Sequence, residues 1–389
     1  MSAGRAAGLE TLPSRPPKLV ITSLTVRDFR NLAKVEIVFS PRFNVISGQN
    51  GQGKTSLLEA IYFVATSKSF RTHRSAELVR HGQEAASVRA EFIEDPQDQG
   101  LAPLVREQHA AVAGARVVVK IDGARPSTLA SFATRSPVIT FHPDEMALST
   151  GPAGLRRTLL DRLSLFMTPE SADHRSRYDR AVKARQELLR RGSESESEIE
   201  AFEHLAAVHG SALTRIRAQA TSALLPELAL AFGRIAAPDL ALVAEYAPGG
   251  TTDESEASAA LRSSRRRDAG RPSPSFGPHR DDLVLSLDGR RARIVASQGQ
   301  HRAITLALKA AEVSVIGHAR GISPILLLDD VSSELDAERT DALFSYLASQ
   351  QGQIFVTTTR RALISLPEGL ASHERHFPVS GGQIPPTSE

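Results

Sequence analysis

Phe43-Asn44-Val45-Ile46 is a short apolar run that leads into Gly48-Gln49-Asn50-Gly51-Gln52-Gly53-Lys54-Thr55, followed by Ser56-Leu57-Leu58-Glu59-Ala60-Ile61. The middle eight residues fit the pattern G-x-x-x-x-G-K-[ST] in full, and a strand before with a helix after is the context that pattern requires. The glycines let the backbone curl so that successive N–H groups point inward at phosphate oxygens. The helix turns its positive N-terminus toward the same anion. In such a cradle Lys54 reaches the β- and γ-phosphates and the Thr55 hydroxyl ligates Mg²⁺.

Far downstream stands Ile325-Leu326-Leu327-Leu328-Asp329-Asp330-Val331-Ser332-Ser333-Glu334-Leu335-Asp336. Four consecutive aliphatics read as a strand buried on both faces, the kind found in parallel sheets. Two carboxylates follow where the strand would emerge at the sheet's carboxyl edge. Taken alone, the pair fits either a metal site or an Asp-rich turn. Buried charge is costly without a cation, and the phosphate loop 275 positions upstream favours the metal. So long a separation implies a large insertion between the two halves of one nucleotide domain. Just before the acidic strand, Ser297-Gln298-Gly299-Gln300-His301-Arg302 opens an amphipathic helix. This second anion-binding N-terminus is either an ordinary N-cap or a cradle that closes on the γ-phosphate of a second copy.

Composition excludes several classes. The net charge of +3 over 389 residues advertises no global field for nucleic acid, so any such contact needs local patches. With no cysteine there are no disulfides or thiolate metal sites, which fits a reducing cytoplasm. No apolar run approaches eighteen residues, so no membrane span is expected. Residues 1–17, rich in Gly, Ala, Ser and Pro, lack an apolar core and read as a disordered tail, not a signal peptide.

Val35-Glu36-Ile37-Val38-Phe39 alternates like a half-buried strand, and Val88-Arg89-Ala90-Glu91-Phe92 and Val117-Val118-Val119-Lys120-Ile121 suggest an antiparallel layer, with a turn at Asp122-Gly123. Residues 96–114 read as a variable loop. From 150 to about 235 the pattern is helical. Phe202, Leu205, His209, Leu213, Ile216, Ala220 and Leu224 form one stripe, and Tyr178, Val182 and Leu189 begin another. Residues 192–198 between them resemble a solvated hairpin tip, giving either a stubby arm or two helices packed on the core. His209 reads as a packed or bordering histidine. A strand is expected over 240–246 and a last one near 377–379. The basic run Arg262 to Arg267 is either a solvated face or a phosphate contact.

Together these pieces resemble the RecF family, SMC-like ATPases of the ATP-binding-cassette type that act in DNA repair. The resemblance spans residues 19–384. It is carried by Phe29-Arg30-Asn31, Thr66-Ser67-Lys68-Ser69-Phe70-Arg71-Thr72, Phe141-His142-Pro143-Asp144-Glu145, Gly151-Pro152, Arg156-Arg157, Leu160-Asp161, Gly277-Pro278-His279-Arg280-Asp281-Asp282-Leu283, Ser297-Gln298-Gly299-Gln300, and 326–336. The chain departs from the family at His301, where a second Gln is usual, and at Gln186, where Asn is usual. After the strand that follows the acidic one it reads Thr357-Thr358-Thr359, as the resemblance leads one to expect, where many cassette ATPases place His; a threonine hydroxyl there could contact the γ-phosphate but is no general base.

The resemblance implies an α/β fold: an ABC-type P-loop ATPase head, with a mixed sheet and an antiparallel layer, carrying an inserted helical domain. The head would comprise 18–140 and 270–384, the helical arm 141–269, and the loose C-terminal tail 385–389. ATP and Mg²⁺ are the implied cofactors. Gly48, Gln49, Asn50, Gly51, Gln52, Gly53, Lys54 and Thr55 would hold ATP, and Thr55 and Asp329 the metal. Asp330 would act on the attacking water, with Lys54 on the phosphates. Arg27 and Arg30 either border the nucleotide or form a plain surface pair. Ser297, Gly299, Gln300 and Asp336 would contact ATP across a dimer. Implied partners are single-stranded or gapped DNA, a second copy of the chain bound in an ATP-dependent way, and the RecR and RecO mediator proteins, in a cytoplasmic, nucleoid-associated setting. The implied role is recombinational repair, replication and the SOS response, with slow, DNA-stimulated hydrolysis. The 277–283 loop packs four ionisable groups together, as either a buried polar network or a metal site short of a third ligand. A transporter ATPase subunit would share the nucleotide chemistry but not the helical insertion.

Overall fold

The computed structural model describes residues 18–95, 102–192, 195–235, 240–330, 352–361, 364 and 374–385. Asp336 and the rest of 332–336 lie outside the described residues, as do 1–17 and 386–389. The chain divides into two compact units, Met1–His142 with Ile322–Glu389, and Pro143–Gly321.

The first unit holds two five-stranded sheets. One is parallel, in the order Glu374–Pro378, Phe43–Ser47, Ile354–Thr358, Ile325–Leu328, Val138–Phe141. Its three inner strands are apolar along most of their length and buried throughout, Ser47 excepted, as a strand covered on both faces demands. The other is antiparallel, in the order Leu32–Val38, Leu19–Phe29, Ala85–Glu94, Leu104–Ala113, Arg116–Ile121. The helix Lys54–Thr66 packs against strands of both sheets. Leu57, Leu58, Ala60, Ile61, Phe63, Val64 and Ala65 are all fully buried in it. A helix apolar on every side must be buried, and each of its large side chains stabilises the core by about 1.5–3 kcal/mol.

The variable loop expected over 96–114 is in fact mostly strand, Leu104–Ala113, at the centre of the right half of this sheet. Its inward positions are Arg106, Gln108, Ala110 and Val112, so polar residues at core sites hid the alternation. Arg106 donates through its two terminal nitrogens to Glu94 (2.7 Å) and the Arg135 carbonyl (2.9 Å), and Gln108 accepts from Ser136. The turn at Asp122-Gly123 is present, both residues having positive φ (50° and 79°).

The second unit is mainly helical: Ala153–Met167, Ser171–Arg191, the long Glu196–Ile235 and Gln298–Arg320, with a small antiparallel sheet containing Leu242–Ala247 and Asp282–Leu287. Ser171–Arg191 and Glu196–Ile235 pack on one another as a helical hairpin, and the long helix also packs on Gln298–Arg320 and Ala153–Met167. Residues 270–321, expected in the head, therefore make their dense contacts with the helices of this unit.

The predicted stripe does not hold over the whole long helix. Leu205 is exposed, while Ile199, Glu203, Ala206, Ala207 and Gly210 are buried. The reason is ionic. Arg185, with no exposed side-chain surface, donates to Glu203 (3.0 Å), Asp268 (3.1 Å) and the Leu261 carbonyl (2.7 Å), so a charged residue takes the inward position. Arg265 closes on the same Glu203 (2.7 Å), which removes it from the basic run as a free cation; Arg262, Arg266 and Arg267 are exposed. His209 borders the hairpin seam with its Nδ1 3.1 Å from Nδ1 of His174.

Candidate nucleotide-binding site

The parallel sheet decides which residues meet. Phe43–Ser47 and Ile325–Leu328 run the same way on either side of Ile354–Thr358, so both carboxyl ends emerge on one edge. One intervening strand sets them about 10 Å apart, close enough for side chains to join across it. A cavity of about 600 Å³ opens there, lined by Asn50, Gly51, Gly53, Lys54, Thr55, Asp329 and Asp330 among others.

Gly53 caps the helix with φ 114°, a backbone setting that L side chains avoid, and a Cβ there would press on Leu32 and Asn31 at 3.1–3.2 Å. The next residue, Lys54, is buried and donates to the Gly48 (2.6 Å) and Gln49 (3.1 Å) carbonyls, which keeps its ammonium inside the loop. Burial pushes its pKa down, against the pull of Asp330 and Asp329.

Thr55 Oγ1 donates to Asp329 Oδ1 at 3.0 Å. Two cis ligands of an octahedral Mg²⁺ with bonds of about 2.0–2.1 Å stand about 2.9 Å apart, so this hydroxyl–carboxylate pair fits that ion. Among the described residues no group of three or more His, Cys, Asp or Glu side chains is placed to hold a metal ion by itself. Asp329 is 8 % exposed. Burial pushes its carboxyl up, hydrogen bonds from Thr357 and Thr55 pull it down, Asp330 pushes it up, and the net direction is up. Asp330 has φ 51°, which swings the chain out of the strand at the cavity wall.

Thr357 takes a part that sequence reasoning missed. The reading of the threonine run placed a hydroxyl against the γ-phosphate. Thr357 is instead fully buried and donates to Asp329 Oδ1 (2.8 Å) while accepting from the Asp330 amide (2.8 Å). One hydroxyl orients both acids.

The two arginines separate. Arg27 stands on the exposed face of its strand, opposite Lys34. Arg30 lines the cavity, but its guanidinium grips the fully buried Glu59 in a bidentate pair (2.9 and 2.8 Å) and donates to the Glu77 carbonyl (2.8 Å). Arg71 and Asn31 also line the cavity. Arg71 is 45 % exposed and 3.5 Å from Glu59. The only sequence signal for either was its place in a family motif.

In the second unit Ser297 and Gln300 form a capping box on the helix Gln298–Arg320. The Gln300 amide donates to Ser297 Oγ (3.2 Å) and the Ser297 amide to Gln300 Oε1 (2.7 Å). Gly299 sits in the first turn, and Ser297 is exposed. His301 faces inward, its Nδ1 2.7 Å from Ser149 Oγ.

His279, Asp281 and Asp282 of residues 277–283 join a largely buried polar network, while Arg280 is exposed. Asp281, with no exposed surface, accepts from Arg217 (2.8 Å), the Gly249 amide (2.8 Å) and the Tyr246 hydroxyl. Arg217 also binds Asp161 (2.7 Å) and the Pro278 carbonyl (2.6 Å), and Asp282 holds Arg156 (2.7 Å). His279 Nε2 faces the Pro274 carbonyl (2.8 Å), which can only accept, so that nitrogen carries the proton and the Tyr178 hydroxyl donates to Nδ1 (2.6 Å). Burial pushes the His279 pKa down and the Tyr178 pKa up, which keeps this pair neutral. Gly277 has φ 128°, and a Cβ there would fall 2.2 Å from the Tyr178 hydroxyl.

The RecF/RecN/SMC N-terminal domain model matches residues 20–372. A protein of Anaeromyxobacter sp. named "DNA replication and repair protein RecF" is 41 % identical over 376 residues, 94 % of this chain and 99 % of that one. One of the same name from Myxococcus xanthus is 37 % identical over 94 % of this chain and 96 % of its own. The solved structure of the recombination mediator protein RecF with ATP superposes with a TM-score of 0.84 over 96 % of this chain and 99 % of that one, at 24 % identity, a likeness of fold. Among the described residues no helix is long and apolar enough to cross a membrane.

Proposed function

The chain belongs to the RecF family, and on that premise we propose that it is an ATP-dependent DNA-binding protein of recombinational repair, replication and the SOS response. It binds single-stranded or gapped DNA, dimerises on ATP and is released by slow, DNA-stimulated hydrolysis. The observation that supports this most directly is Thr55 and Asp329, 274 positions apart, meeting at 3.0 Å beside Lys54. The P-loop amides and Lys54 hold the phosphates, and Thr55 and Asp329 hold Mg²⁺. Bound there, the ion would draw charge from the β- and γ-phosphate oxygens. Asp330, one methylene shorter than the glutamate usual in cassette ATPases, orients or deprotonates the attacking water, which suits a timer more than a motor. Arg71 and Asn31 add a cation and an amide to the wall. Ser297, Gly299, Gln300 and Asp336 contact the partner's nucleotide; within the capping box the Ser297 hydroxyl only accepts, so its proton is left to donate to a phosphate. Arg30 serves the wall through Glu59, and Arg27 is left as a surface cation. RecR and RecO are the expected mediator partners, in the cytoplasm on the nucleoid.

The test is ATP-dependent dimerisation on gapped DNA, followed by light scattering at several salt concentrations. Wild type should dimerise with ATP. Lys54→Ala should lose nucleotide binding and dimerisation together, and Ser297→Arg should bind ATP yet stay monomeric. Dimerisation of Lys54→Ala at wild-type ATP concentrations would overturn the reading.

A further inference from the structure

Two segments far apart in sequence converge on the P-loop. After the edge strand Glu374–Pro378, the Val379 amide donates to the Ser47 carbonyl (2.7 Å), carrying the chain past the loop's start. The chain then reverses in a tight turn: Ser380 and Gln383 exchange both backbone hydrogen bonds (3.0 and 2.9 Å), with Gly381 and Gly382 at φ 58° and 74° between them. Two positive-φ residues in a two-residue turn are what a type I′ hairpin requires. The amides at its tip are not spent within the turn. The Gly381 amide donates to Gln52 Oε1 and the Gly382 amide to the Gln52 carbonyl (2.9 Å). From the other side Asn31 Nδ2 donates to the Gly51 carbonyl (3.2 Å), and the Asn31 carbonyl lies so near Gly382 that a Cβ there would meet it at 2.2 Å.

We infer that the Gly381-Gly382 turn and Gln52 form a clasp that holds the P-loop in its phosphate-ready shape, making Gln52 a positioning residue whose side chain faces the protein and not the nucleotide. This rests on the nucleotide reading given above. A phosphate loop gains affinity when its inward-pointing amides are fixed before the ligand arrives, because the ordering cost is then absent from binding. Gly51 is exposed and Gln52 half-buried at the crest of this loop, and neither has a sheet partner of its own. The clasp supplies one, with both backbone and side chain of Gln52 engaged. It also explains why a glycine pair occupies the C-terminal turn: positive φ and the close approach to Asn31 both exclude a side chain.

The experiment measures the Kd of a fluorescent ATP analogue and the steady-state kinetics for full-length wild type, Gln52→Met, Gly382→Ala and the double variant, with Lys54→Ala as control. Gln52→Met keeps the volume and removes the acceptor. Gly382 itself does not line the cavity, but a Cβ there would press on the backbone carbonyl of Asn31, which does, so Asn31→Ala is measured beside it as a control for displacement of that wall residue. Each single variant should weaken ATP binding about tenfold, the scale expected from losing preorganising hydrogen bonds. The double should be no weaker than the worse single, because both break one device. For Gly382→Ala the KM should rise while kcat at saturating ATP holds, a split that general loss of structure would not give. Wild-type affinity in Gly382→Ala, whether or not Gln52→Met is impaired, would overturn the clasp; multiplied effects in the double would do the same. If Gly382→Ala is too unstable to purify, Gly381→Ala in its place reads the same clasp. Wild-type ATP binding by Lys54→Ala would instead remove the nucleotide reading itself.

Discussion

Thr357 offers the sharpest test of how the acidic pair is held. Its hydroxyl is fully buried between Asp329 Oδ1 and the Asp330 amide, 2.8 Å from each. Thr357→Val preserves the shape, so it opens no cavity. It removes a hydrogen bond to a carboxylate, worth about 1.5–3 kcal/mol, and leaves an amide without its acceptor at about 1–3 kcal/mol. Burying a methyl in place of a hydroxyl returns part of this, so we expect a net loss of about 2–4 kcal/mol. Thr357→Ser keeps both hydrogen bonds, loses one methyl, and should cost about 1 kcal/mol. Urea unfolding of the three proteins measures the difference. The penalty should also depend on pH. Asp329 has a folded pKa raised above its ordinary value, so its ionised form costs stability and its protonated form does not. Losing the Thr357 donor raises that pKa further, and the extra penalty should fade as pH drops through the raised folded pKa toward 3.8. ATP hydrolysis by Thr357→Val should fall as Asp330 loses its anchor. If the serine variant were as unstable as the valine variant, or the valine variant matched wild type within 0.5 kcal/mol at pH 7, the hydroxyl would not be the anchor.

Asp330→Asn should retain ATP and lose hydrolysis about a hundredfold or more, the scale of a missing general base, and so accumulate as dimer on DNA; single-turnover kinetics would show it. Arg217→Leu strips Asp281 of its cation where Asp281 has no exposed surface, and should cost about 3–5 kcal/mol in chemical unfolding. Burial opposes ionisation of Glu312, but Arg162 and Lys309 outweigh it and hold its pKa at about 2 against 4.5. That depressed pKa contributes stability above 4.5 that is lost as pH falls from there toward about 2, so acid unfolding of Glu312→Gln should be shallower over that window.

The eight residues from Gly48 to Thr55 determined the strand-loop-helix turn by themselves, because it is local: the backbone φ values, one lysine and one hydroxyl lie within a single stretch of chain. The run Ile325 to Leu328 likewise determined a buried parallel strand, since four aliphatics without alternation have no solvent face to offer. That two helices follow one another here was legible from periodicity, but not that the second also packs on Gln298–Arg320 and Ala153–Met167. Long-range polar pairing was not legible. Arg106 and Gln108 disguised a central strand as a loop because their partners lie on other elements. Glu203 displaced the predicted apolar stripe because Arg185 meets it from another helix. Arg30 was open between a nucleotide border and a plain surface pair, and its bidentate partner Glu59 fits neither; nothing in the threonine run announced that Thr357 anchors two acids. A sequence states which groups are charged or polar. Only the folded chain decides which of them satisfy one another, because burial makes that pairing obligatory and the sheet order, not the residue spacing, sets who is within reach.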